Sequence, residues 1–103
     1  MLTENRVYHF IGEIYLKQSH VSNAPKKPIE DLVNWLFLCV ENRKFSFIYK
    51  IESPTRASYE SPFIIYLSFL MVDVINDFVK PKNKYEVFRG EEGVGTVEIL
   101  SLV

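Results

Sequence analysis

Ile29-Glu30-Asp31-Leu32-Val33-Asn34-Trp35-Leu36-Phe37-Leu38-Cys39-Val40 decides between two architectures. Ile29, Leu32, Val33, Leu36, Phe37 and Val40 recur at helical spacing. Pro28 precedes them, and Glu30 and Asp31 stand where a helix N-terminus favours negative charge. Read this way, the segment is an amphipathic helix of about three turns, and the fold is α+β with one helix at 29–40. Read as a strand, the dense apolar run Trp35 to Val40 is a buried β element and the fold is all-β. Periodicity does not separate the two for an apolar run this short.

The flanking segments read as sheet. From Arg6 to Lys17, Tyr8, Phe10, Ile14 and Leu16 share one face at a spacing of two. Gly12 interrupts that face, as at a bulge or a close approach of another backbone. Residues 18–28 form a loop rich in Ser, Asn and Pro. From Lys44 to Ile51, Phe45, Phe47, Tyr49 and Ile51 alternate with Lys44, Ser46, Ile48 and Lys50, after a turn at Asn42-Arg43. Core packing is the ordinary reason for aromatics at that spacing; a stacking platform for bases is the rarer one. Glu52 to Ser61 is a polar loop. Pro62 to Ile75 is apolar on both faces and predicts a central strand buried on both sides. A charged loop around Pro81, a short strand Tyr85 to Arg89, a turn Gly90-Glu91-Glu92-Gly93 and a last strand Val94 to Val103 complete the chain. No repeat or linker divides it, so 1–103 is read as one domain.

Composition agrees with a packed sheet protein. Hydrophobic residues make up 48% and charged residues 24%, which is globular, and the 15% aromatic share suits pleated surfaces. A chain of 103 residues can bury a core without staples. A formal charge of −1 argues against a dedicated nucleic-acid binder, whose affinity rests on neutralising phosphates. The single cysteine, Cys39, leaves no internal disulfide and fits a reducing compartment. Polar residues follow Met1-Leu2 directly, unlike a signal peptide. The longest apolar stretch, Phe63 to Val72, is shorter than the ~20 residues a spanning helix needs. The expectation is a cytoplasmic protein that does not enter a membrane.

The most specific stretch is Tyr85-Glu86-Val87-Phe88-Arg89-Gly90-Glu91-Glu92-Gly93-Val94-Gly95-Thr96-Val97-Glu98-Ile99. A strand ends in Arg-Gly, turns tightly and continues as Val-Gly and an alternating strand. This resembles the closing hairpin of the C-terminal β-barrel domain of elongation factor Tu and its relatives. Gly12-Glu13-Ile14-Tyr15-Leu16, Lys27-Pro28-Ile29 and Glu60-Ser61-Pro62 are similar to that family's first strand, the loop after it and its mid-chain strand start. The family's second Gly in the hairpin is Val97 here, its mid-chain Gly is Phe63, and its Gly-Gly-Arg stretch is missing. The resemblance implies a small antiparallel six-stranded β-barrel and a strand at Trp35 to Val40. It also implies contact with transfer RNA as one kind of partner.

No motif for chemistry accompanies the fold. A GTPase needs Gly-x-x-x-x-Gly-Lys-Ser/Thr, and none is present. His9, His20 and Cys39 lack zinc-ligand spacing, and Cys39 between Leu38 and Val40 reads as a small buried hydrophobe. The carboxylate pairs Glu30-Asp31, Asp73/Asp77 and Glu91-Glu92 read as solvated surface rather than an acid–base pair. No catalytic residue, metal or cofactor is therefore expected. Lys26, Lys27, Lys80, Lys82, Lys84 and Arg89 are the candidate partner-binding residues. The expected function is non-catalytic binding of another protein, for example by a bacterial toxin-immunity or inhibitor protein. The alternative is an RNA-associated barrel like those of translation factors. Self-association through 63–72 is a further expectation, because a two-faced strand needs cover.

Overall fold

Strand wins over helix at the deciding segment. In the computed structural model, which describes residues 8–17, 28, 31–70 and 72–103, β2 runs Asp31–Val40. Leu36, Leu38 and Val40 are buried while Phe37 and Cys39 are half-buried, the alternation of a pleated strand. A helix would have turned Phe37 inward beside Leu36 and Val40. Both edges of β2 are paired instead, with β3 (Arg43–Ile51) and β5 (Lys84–Arg89). Non-local pairing overrides the local pattern. Residues 29 and 30, where the helix reading begins, lie outside the described residues. The pairing with β3 also shifts register: Asp31 faces Tyr49, and the next partners are Leu36 and Phe47, so β2 bulges between them.

With β1 (Phe10–Leu16), β4 (Phe63–Phe69) and β6 (Glu92–Leu102), the described residues form a closed six-stranded antiparallel barrel in the order β1-β4-β3-β2-β5-β6. The seam between β6 and β1 closes it. The interior holds Phe10, Ile14, Leu36, Leu38, Phe47, Ile65, Leu67, Val87, Val97 and Ile99, all essentially out of water. Burying one such side chain contributes about 1.5–3 kcal/mol. Phe45, Phe47, Tyr49 and Ile51 all face this core, so the aromatic row on β3 is packing and not a platform. Cys39 faces outward, half-buried, because its neighbours Leu38 and Val40 face inward. That corrects the expectation of a buried thiol.

The long strand expected over Pro62 to Ile75 is shorter. β4 ends at Phe69, Leu70 is 69% exposed, and Val72–Ile75 form one helical turn, α1. Phe63, Ile65, Leu67 and Phe69 are buried, whereas Ile64 and Tyr66 on the outer face are half-buried. The reason is geometric. A strand continued beyond Phe69 would carry its apolar residues past the barrel rim into water. By turning, the chain buries Ile75 and Val79, four residues apart, with the Val79 N–H donating to the Ile75 carbonyl at 2.9 Å. The turn closes this end of the barrel. The Phe78 ring lies 5.8 Å from Phe45, and the Arg43 guanidinium sits 5.3 Å from Phe78 and 5.4 Å from Phe45.

Two turns also differ from the sequence reading. The β2–β3 turn is Glu41-Asn42, one residue earlier, with φ of 52° and 66°. That doubly left-handed form matches strand twist and suits Asn42. The β5–β6 turn is Gly90-Glu91 alone, with Gly90 at φ 62°; Glu92 and Gly93 already belong to β6. Val94 is the extra residue between the pairs Phe88–Gly93 and Val87–Gly95, a bulge that leaves it buried.

Candidate functional site

Inward and outward positions on β5 are fixed by its partner. Val87 faces Leu38 and Arg89 faces Leu36, and both leucines are core residues. Arg89 therefore stands on the inner face of its strand, at the last position before the hairpin turn. It lies at the barrel mouth opposite α1. The same mouth is bordered by the end of β1 at Leu16, by Val94, and by the connection from β3 to β4. That connection is tied down by the Glu60 N–H donating to the Leu16 carbonyl at 2.7 Å and by a bridge between Ser58 and Ser61. Ala57 is buried under it, and Tyr59 packs against the core.

Arg89 and Tyr59 meet electrostatically at this mouth. Burial pushes the Tyr59 phenol up from its ordinary pKa, and the Arg89 guanidinium partly pulls it back. Arg89 is half-buried, and its Nε is closed off from solvent without a hydrogen-bond partner. Long cations ordinarily run their stem along apolar surface and keep the head in water. Here a donor of the head group is inside. Tyr59 was missed by sequence reasoning, which took Glu52 to Ser61 as a polar loop. The signal was present: Ala57 and Tyr59 are the apolar and aromatic exceptions in that stretch.

The remaining candidates lie elsewhere. Lys80, Lys82 and Lys84 are exposed on the connection into β5 and at its first residue, at the opposite end from Arg89. Five residue steps of strand separate Lys84 from Arg89, roughly 17 Å. The Lys80 N–H donates to the Tyr85 hydroxyl at 3.0 Å, and the Lys82 N–H donates to the Ile99 carbonyl at 2.6 Å, so this lysine loop is pinned to the barrel. Lys26 and Lys27 lie outside the described residues, as does His20. The six residues thus do not form one patch. Lys44 forms a separate outer-face contact, with its Nζ 4.5 Å from the Phe88 ring centre and 3.0 Å from the Gly90 carbonyl.

His9 has a structural partner. Its Nδ1 accepts from the Phe69 N–H at 3.3 Å, its backbone N–H donates to the Leu67 carbonyl, and its backbone carbonyl accepts from the Val103 N–H. Burial holds its pKa below the ordinary histidine value. A protonated Nδ1 cannot accept. The folded state therefore binds fewer protons than the unfolded chain just below pH ~6.5, and stability falls as pH drops through that window. Urea unfolding should show a lower midpoint at pH 5.5 than at pH 7.5 (about those values bracket the ordinary histidine pKa). His9→Asn, whose carbonyl oxygen still accepts, should lose part of that difference. An equal pH dependence in both proteins would remove His9 as the cause.

Among the described residues no group of three or more His, Cys, Asp or Glu is placed to hold a metal ion, and no helix is long and apolar enough to cross a membrane. No family model matches the chain, and no curated protein matches it.

Proposed function

We propose that this chain is a non-catalytic binding module whose partner is another protein, engaged at the barrel mouth around Arg89 and Tyr59. The observation that carries the reading is the Arg89 Nε–H, shut off from water and given no acceptor. A buried donor left unpaired costs about 1–3 kcal/mol, and more on a charged group. The isolated fold gains nothing from it. A partner that draws the guanidinium toward an acceptor recovers that cost on binding. Arg and Tyr, both half-buried here, are also residue types that dominate interface energetics. A specific inhibitor, such as an immunity protein against a bacterial toxin, needs only a complementary surface of this kind.

Affinity capture tests it with three baits: the natural chain, Arg89→Ala, and the triple change of Lys80, Lys82 and Lys84 to Glu. The expected result is one stoichiometric protein complex with the natural chain and with the triple variant. Arg89→Ala should weaken it by about 2 kcal/mol, roughly 30-fold. Its thermal stability should stay level or rise, because the orphaned donor is gone. A complex indifferent to Arg89→Ala overturns the assignment.

The likeness to the elongation-factor barrel supports a second reading, RNA binding, and the exposure of Lys80 and Lys82 on one pinned loop, with Lys84 at the start of the strand that follows, is what favours it. It predicts capture of RNA that falls steeply with salt and is lost in the triple variant. That outcome, with no protein captured, would replace the first reading.

A further inference from the structure

Resting on that reading, we infer that the mouth is a receptor for a carboxylate: the partner inserts one Asp or Glu side chain between the Arg89 guanidinium and the Tyr59 hydroxyl. The guanidinium offers its donors in a planar fork that matches the two oxygens of a carboxylate. Nε–H is one tine of that fork; the fold leaves it buried without an acceptor, so the carboxylate engages it as the guanidinium is drawn outward. The Tyr59 phenol, which feels the Arg89 charge, adds a third donor. The surroundings are apolar, with Leu36, Ala57 and Val94 buried at the same end, and low polarity strengthens a charge-assisted hydrogen bond.

Charge number selects the class of anion. Among the described residues, the connections at this end carry Lys17 and Arg56 against Glu52, Glu60 and Glu91, with Arg89 at the end of β5 as the inward cation. A phosphate, with close to two negative charges at neutral pH, has one inward cation, Arg89, to receive it. A carboxylate brings one charge and is matched by that one cation. The site therefore discriminates by charge number as well as by shape, and an acidic side chain of a protein is the occupant both conditions favour.

The full chain can be tested without knowing the partner. The arginine Nε–H and tyrosine ring resonances are followed by NMR while acetate replaces chloride at constant ionic strength, and then while inorganic phosphate does. Acetate should shift Arg89 and Tyr59 along a saturating curve, by more than it shifts Arg43 and the exposed Arg56. In Arg89→Lys, which keeps the charge and loses the fork, the Tyr59 shift should vanish. A larger response to phosphate than to acetate, or shifts that are equal at all three arginines, overturns the proposal. The two claims fail separately. Protein capture that depends on Arg89 with no acetate response sinks the carboxylate and spares the binding module. An acetate response without Arg89-dependent capture does the reverse.

Discussion

Gly95→Ala is expected to cost about 3 kcal/mol or more, a large share of the 5–15 kcal/mol that holds a domain of this size together. Gly95 sits on β6 opposite Leu16 of β1, at the seam where the barrel closes. A Cβ there would collide with the Tyr15 carbonyl oxygen, with the carbon of that carbonyl 2.9 Å away and the Leu16 Cα 3.1 Å away. Every one of these atoms is backbone. No rotamer change relieves them, so the two strands must separate, and the hydrogen bonds of the seam go with them. Gly12→Ala makes the contrast. Its Cβ would meet Leu67 Cδ1 and Val97 Cγ2, each at 3.0 Å, and the Glu98 carbonyl oxygen at 3.1 Å. Two of those three can turn aside, and the cost should be about 1–2 kcal/mol. Urea unfolding of both variants measures the difference. A Gly95→Ala loss no larger than that of Gly12→Ala would mean the seam is wider than described.

Gly12 and Gly95 also show what the sequence carried. The break that Gly12 makes in an otherwise apolar face marked a bulge or close approach, and both occur there: β1 and β6 shift register between Ile11 and Gly12. Faces set by alternation over short strands were legible for the same reason, because a period of two leaves only one set of residues to bury. Segment 31–40 was not legible from its own residues. Its helical spacing is genuine, and the strand exists because two neighbours far along the chain pair with both its edges. The end of β4 failed for a related reason: Leu70 to Ile75 continues the apolar run, and only the position of the barrel rim says where it must turn. As for the site, Arg89 was readable as a cation closing a strand. Its inward direction depends on the register with Leu36, and Tyr59, which feels its charge, stands on a loop about thirty residues earlier. Lysines close in sequence suggested a patch that the strand then separates from Arg89, since the two ends of β5 open on opposite ends of the barrel.

Phe47→Ala should be the most damaging side-chain truncation, at about 3–5 kcal/mol. Phe47 is wholly out of water and lies in register with both Leu36 and Phe69. Its ring centre is 5.6 Å from that of Phe69 and 6.3 Å from that of Tyr49. Removing it forfeits the transfer free energy of a buried aromatic, two ring–ring contacts, and the packing around the space left behind. The walls belong to a closed barrel whose strands are paired on both sides, so they have little freedom to collapse into that space. Phe88→Ala is the matched control. Phe88 is an aromatic of the same size on the outer face, half-buried under the Lys44 ammonium. Its loss should cost about 1 kcal/mol, the scale of one cation–π contact and partial burial. Equal losses at Phe47 and Phe88 would mean that the ring facing Leu36 and Phe69 is not in a closed interior. At temperatures where Phe47→Ala is still folded, Arg89 keeps its strand, its turn and its neighbour Tyr59. Partner capture per folded molecule should then match that of the natural chain, whereas Arg89→Ala shows the opposite pattern of stable fold and lost binding. That crossing of effects separates what the barrel needs to exist from what its mouth does.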